Sequence, residues 1–241
     1  MTPATTKTLS GIRVLSLALN LPGPAALMRL RAMGARCTKL QGPAGDPMEH
    51  YNPSAYAQLH EGVKIITADL KTDVGQKVLQ RALAQADVLL TSFRPSAITK
   101  LGLGWRILHK TQPSLSHIAI VGSPGVRAEL PGHDLTYLAE NGLITGLDLP
   151  PTLYADMAGS LLAIEAVMQA VIAQKTKGRG MYREVALSDA AQYLALPRAW
   201  GLTTPLGAVG GAHAGYRVYA CQDGRVAVAA LEPHFARALC D

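Results

Sequence analysis

Short apolar runs alternate with helical periods along most of the chain. Ile12 to Leu19 (IRVLSLAL) is a continuous apolar run, which predicts a buried strand. Pro22-Gly23-Pro24 makes a turn and sets Pro24 at the start of a helix over 25–33, stopped by Gly34. Arg36 to Gln41 resumes as a strand, so this opening reads as a βαβ unit. The stretch Gly42 to Gly62 has no clean period and is expected to be a long surface loop. The alternation returns with strands over 63–67, 87–91 and 117–121, and with helices over 71–86, 95–101 and 105–110. Further helices are expected from Asp134 to about Ile144 and from Tyr154 to Lys175. The second carries a wide apolar stripe and is expected to pack on more than one side. A strand over 182–187 and a helix over 188–196 follow, with Ser188 as cap and Pro197 as breaker. Strands alternating with helices predict an α/β fold with a mainly parallel sheet.

Gly201 to Gly215 is rich in Gly, Ala and Thr and marks the expected domain boundary. Beyond it, two short strands flank Asp223-Gly224, a hairpin signal. A helix from Pro233 reaches the last residues, which reads as a longer architecture cut short. The expected division is a large domain over 1–200 and the start of a smaller α+β domain over 201–241.

Composition narrows the class. With 49% hydrophobic and 17% charged residues the chain is no disordered polymer. The longest apolar candidate, Met157 to Ala173, is interrupted by Ser160, Glu165 and Gln169, so no membrane span is expected. The first residues do not read as a leader, and the expected location is cytoplasmic. Three scattered cysteines argue against a disulfide framework or a structural zinc site. Twenty-three basic against seventeen acidic side chains give a net charge of +6, which favours an anionic partner. The bases are dispersed and aromatics are only 5%, so a small phosphorylated ligand fits better than nucleic acid.

The chain carries neither GxGxxG nor GxxxxGK[ST], which disfavours nicotinamide and nucleoside-triphosphate enzymes. No GxSxG elbow and no paired-histidine metal motif occur. Two places stand out. Pro131-Gly132-His133-Asp134 lies at the mouth of a helix, where Asp134 is on its own most simply a cap. Asp156 lies in the first turn of the long helix, where an acid complements the helix dipole.

An ordered set of segments changes the balance. LSGIRVL, the PGP turn, ITADLK, ADVLLTSFRPSAITKLGLG and PGHDLTYLAENGL follow one another. YADMAGSLLAIEAVMQA, GRG with SDAA, and YACQDGRVAVAALEPHF continue the series. Together they resemble the family III CoA-transferases, which include α-methylacyl-CoA racemase, over nearly the whole chain.

The resemblance implies a Rossmann-like large domain, a smaller domain, an interlocked homodimer and CoA thioester substrates. It implies no metal and no cofactor beyond CoA itself, and no nucleic acid or membrane partner. Arg94 and Lys100 lie where family members hold CoA phosphates, and Ala68 and Leu70 where their backbone meets adenine. Transferase members use an Asp in Gly-x-Asp as nucleophile, the position of Asp134. Racemase members place a His before it, a second Asp near the start of the following long helix, and a Glu before Pro. His133, Asp156 and Glu232 fill those positions. Inverting a thioester α-carbon needs a base on each face, roles that His133 and Asp156 can take, with Glu232 holding the imidazole. Backbone N–H groups at the helix start near Asp134 are the expected donors to the enolate oxygen. The implied activity is therefore an α-methylacyl-CoA racemase. The alternatives are a CoA-transferase acting through an Asp134 adduct, or a shortened, non-catalytic CoA-binding homologue.

Overall fold

The structure, a computed structural model, describes residues 7–240. Its contacts divide the chain into two units, one ending at Ala191 and the other starting at Gln192.

The first unit is an open sheet of six parallel strands in the order β3-β2-β1-β4-β5-β6. The strands are β1 (Arg13–Ser16), β2 (Arg36–Gln41), β3 (Lys64–Thr67), β4 (Val88–Thr91), β5 (Ser116–Val121) and β6 (Tyr182–Ala186). Strand order reverses between β1 and β4. The crevice beyond their carboxyl ends is where such sheets bind ligands.

Helices cover both faces, which is why the inner strands read as unbroken apolar runs. On one face, α1 (Pro22–Ala32) and α8 (Tyr154–Lys177) bury Leu27, Leu30 and Val167 against Val14, Leu90, Ile118 and Ile120. On the other, α4 (Asp73–Ala84), α5 (Pro95–Lys100) and α6 (Trp105–Thr111) set Leu79, Leu83, Ile98 and Leu108 against Leu15, Leu17 and Leu89. Neighbours such as Val14 and Leu15 point to opposite faces, as strand period requires. Among the described residues α8 is the one helix long and apolar enough to cross a membrane. Half of its most apolar window is nevertheless buried inside the fold.

The stretch 42–62 is not a plain loop. It forms α2 (Pro47–Tyr51) and α3 (Pro53–Leu59). Asp46 and Asn52 cap them through the N–H groups of Met48 and Ala55, and a proline opens each. Two more helices complete this part: α7 (Asp134–Glu140) and α9 (Leu187–Ala199), which continues past Ala191. Pro197 lies inside α9 and does not end it. The carbonyl it leaves free, four residues back, belongs to the exposed Tyr193 and can be met by water.

In the second unit β7 (Tyr216–Cys221) and β8 (Gly224–Ala229) pair antiparallel, with Cys221 opposite Gly224 across the turn. Helix α10 (Pro233–Cys240) follows.

Candidate active site

A cavity of about 560 Å³ opens at the carboxyl ends of β1, β4 and β5, at the point of strand-order reversal. That size suits a small-molecule site. Four of the residues singled out by sequence line it: Arg94, His133, Asp134 and Asp156. Arg94 is exposed and stands at the N-cap of α5, just past β4. His133 is the N-cap of α7. Its backbone N–H donates to Thr136 Oγ1 at 3.1 Å, and its own side chain is left exposed.

Asp134 does not cap its own helix. It is the first residue of α7, is 5% exposed, and its Oδ1 accepts the backbone N–H of Asp156 at 2.9 Å. That N–H is one of the four that α8 cannot satisfy internally. Asp134 therefore caps α8 from a neighbouring helix and ties Asp156 to the PGHD turn. Burial, reinforced by the Asp134 charge, pushes the Asp156 carboxyl up to about 6, while His133 pulls it back. The backbone donors expected at the start of α7 are partly committed. The N–H groups of Thr136 and Tyr137 both bond to the His133 carbonyl, at 2.9 and 3.3 Å.

The remaining residues fall outside this cavity. Lys100 is exposed at the far end of α5. Ala68 and Leu70 lie beyond the carboxyl end of β3, at the sheet edge, with the Ala68 N–H bonded to the Gln41 carbonyl at 3.0 Å. Glu232 is exposed in the second unit, where its carbonyl accepts the Ala236 N–H as α10 begins.

The cavity also contains residues that sequence reasoning passed over: Asn20, Tyr51 and Tyr137. Asn20 holds a left-handed backbone, φ 62°, in the turn between β1 and α1. Its N–H donates to both oxygens of Asp46, at 3.0 and 3.2 Å, and its Oδ1 accepts the Tyr51 hydroxyl at 3.2 Å. Asp46 is fully buried and paired with the equally buried Lys39. Lys39 Nζ also donates to His60 Nε2 at 2.9 Å, and His60 Nδ1 donates to the Tyr56 carbonyl at 2.8 Å. Burial lowers the pKa of both Lys39 and His60, and Asp46 opposes the fall at each. The Asp-Pro start of α2 was a legible signal for Asp46. Tyr137 had one too, since it lies one helical turn from Asp134 on the same face.

Over residues 9–241 the chain matches the sequence profile of CoA-transferase family III. The chain belongs to that family. Within family III, it is 32% identical over 210 residues to the cinnamoyl-CoA:phenyllactate CoA-transferase of Clostridium sporogenes, covering 78% of this chain and 51% of that protein. It is 30% identical over 245 residues to the α-methylacyl-CoA racemase of Homo sapiens, covering 94% of this chain and 62% of that protein. The chain thus spans 51% and 62% of the lengths of these two relatives. The crystal structure of the hypothetical protein Rv3272 from Mycobacterium tuberculosis superposes with a TM-score of 0.84 at 27% identity, covering 98% of this chain and 69% of that one.

Proposed function

We propose that this family III chain carries the reaction cavity of an acyl-CoA enzyme and that its chemistry is racemisation at the α-carbon of a 2-methylacyl thioester. The observation that carries this reading is the convergence of His133 and Asp156 on one cavity, with Asp156 raised to about 6. A carboxyl in that range can hold or release a proton near neutral pH, which a two-base inversion needs. In one direction the neutral imidazole of His133 takes the α-proton. The C–H electron pair moves into the enolate, and protonated Asp156 returns a proton to the opposite face. In the other direction the roles exchange. Arg94 lines the same cavity, and in this reading its guanidinium meets a CoA phosphate.

A second reading is kept because Asp134 also lines the cavity and, among the described residues, only one of its oxygens accepts a hydrogen bond. As a CoA-transferase, Asp134 attacks the thioester carbonyl, the CoA thiolate leaves, and an acyl anhydride forms. We further infer a homodimer. In its favour, α8 exposes Met157, Leu161, Met168 and Ile172. Sedimentation showing one monomeric species across concentration would remove that inference.

The deciding experiment is α-proton exchange of a 2-methylacyl-CoA in heavy water, run beside hydroxylamine trapping. Exchange and inversion without any acceptor acid support the racemase. An adduct trapped in the native chain and absent from Asp134→Ala supports the transferase and overturns the first reading.

A further inference from the structure

An enolate oxygen forming in this cavity needs a donor, and the start of α7 has already spent two of its N–H groups on the His133 carbonyl. The cavity supplies another donor. The ring of Tyr137 is buried, with the residue 5% exposed, while the residue lines the cavity. Among the described residues its hydroxyl makes no hydrogen bond to a protein partner and, unlike the equally partnerless Ser188 hydroxyl, it is not fully buried.

Two separate loops make room for that hydroxyl. Gly122 follows β5, and Gly132 precedes His133. A Cβ at either position would overlap the Tyr137 phenolic oxygen. Only glycine leaves the gap, so both walls are shaped around the phenol end of this one side chain. A polar atom so enclosed on the protein side, with no protein partner, is left to bond whatever enters the cavity.

We propose that Tyr137 is a catalytic residue whose hydroxyl donates a hydrogen bond to the thioester carbonyl of the substrate and holds it as negative charge develops there. The proposal rests on the racemase reading above. No proton changes place at Tyr137. The α-proton passes to His133 or Asp156, the carbonyl oxygen takes up the enolate charge, and the phenol bond shortens onto it. Burial, with the charges of Asp156 and Glu140, raises the phenol above its ordinary pKa, so it stays protonated and able to donate.

The test uses the full chain and two readouts. In α-proton exchange without acceptor acid, Tyr137→Phe is expected to be slower by roughly a hundredfold, the size of effect seen when one such donor is removed. Its thermal midpoint should hold, because the lost hydroxyl had no protein partner. Gly132→Ala displaces the phenol without deleting it. It should slow exchange to a similar degree. The second readout is calorimetric binding of acetyl-CoA beside S-ethyl-CoA, which lacks the carbonyl. The native chain should prefer acetyl-CoA, and Tyr137→Phe should lose that preference. Native-like exchange and preference in Tyr137→Phe would overturn the proposal. A native chain that does not exchange at all overturns the racemase reading instead, and the binding pair then decides the carbonyl contact by itself.

Discussion

Asp156 is the residue at which the proposed chemistry and stability meet. An acid whose folded pKa lies above its unfolded value binds more protons in the native state between the two. Stability from this group is therefore greatest below about 4 and falls as pH rises to about 6. Asp156→Asn removes the penalty, so the variant should melt higher than the native chain at pH 7.5 and lose that advantage below pH 4. Scanning calorimetry across this range checks it. His117 acts in the opposite sense over nearly the same window. Burial on β5 lowers its pKa to about 4, so the native state resists a proton that the unfolded chain accepts. Its contribution is present above about 6.5 and lost as pH falls through 4. If racemisation runs as proposed, the pH profile of kcat/KM should show an apparent pKa close to 6 from Asp156.

Among the elements, the segment between β2 and β3 holds most of what the sequence concealed. The strands and long helices were legible because a sheet buried on both faces imposes continuous apolar runs, such as HIAIV at His117 to Val121. Lys39 defied that logic. It reads as the polar member of a strand, yet it is fully buried, because Asp46 comes back seven residues later to neutralise it. The pairing is tertiary, and no local period encodes it. The same holds for Asp134. Its position at a helix start was legible, but the N–H it serves belongs to another helix twenty-two residues on. Asp46→Ala should cost about 3–5 kcal/mol in urea unfolding, the range for stranding one buried charge. Lys39→Met should cost less, because Asp46 keeps the N–H groups of Asn20 and Met48. Asn20→Gly should be nearly neutral for stability and Asn20→Ala destabilising, since φ is 62° there.

For the whole molecule the relevant quantities are charge and topology. A net charge of +6 draws in a polyanion from a distance, and screening weakens the attraction. If CoA binds as proposed, its affinity should fall as ionic strength rises. Arg94→Ala should weaken binding by about 1.5–3 kcal/mol, the worth of a charged hydrogen bond. Lys100→Ala should weaken it less, since Lys100 is absent from the cavity wall. Calorimetry at two salt concentrations separates these outcomes. The place of the cavity was implicit in the strand alternation, because a reversal of strand order creates a crevice at a known edge of the sheet. Its polar furniture was not, because Asn20, Tyr51 and Tyr137 come together only through helices whose packing the sequence does not spell out.

The reversal of strand order also carries a consequence in time. Val14 must wait for Val88 before the middle of the sheet can close, and Asp134 must wait for Asp156 before its carboxylate has its partner. A ribosome adds roughly 5–20 residues each second. All the residues of the Asn20 turn and of the ion pair that holds it are present once residue 60 has emerged. The opposite wall is still unmade at that moment. The nascent chain therefore holds the residues of only one wall for several seconds, until α8 and then Leu187 supply the rest.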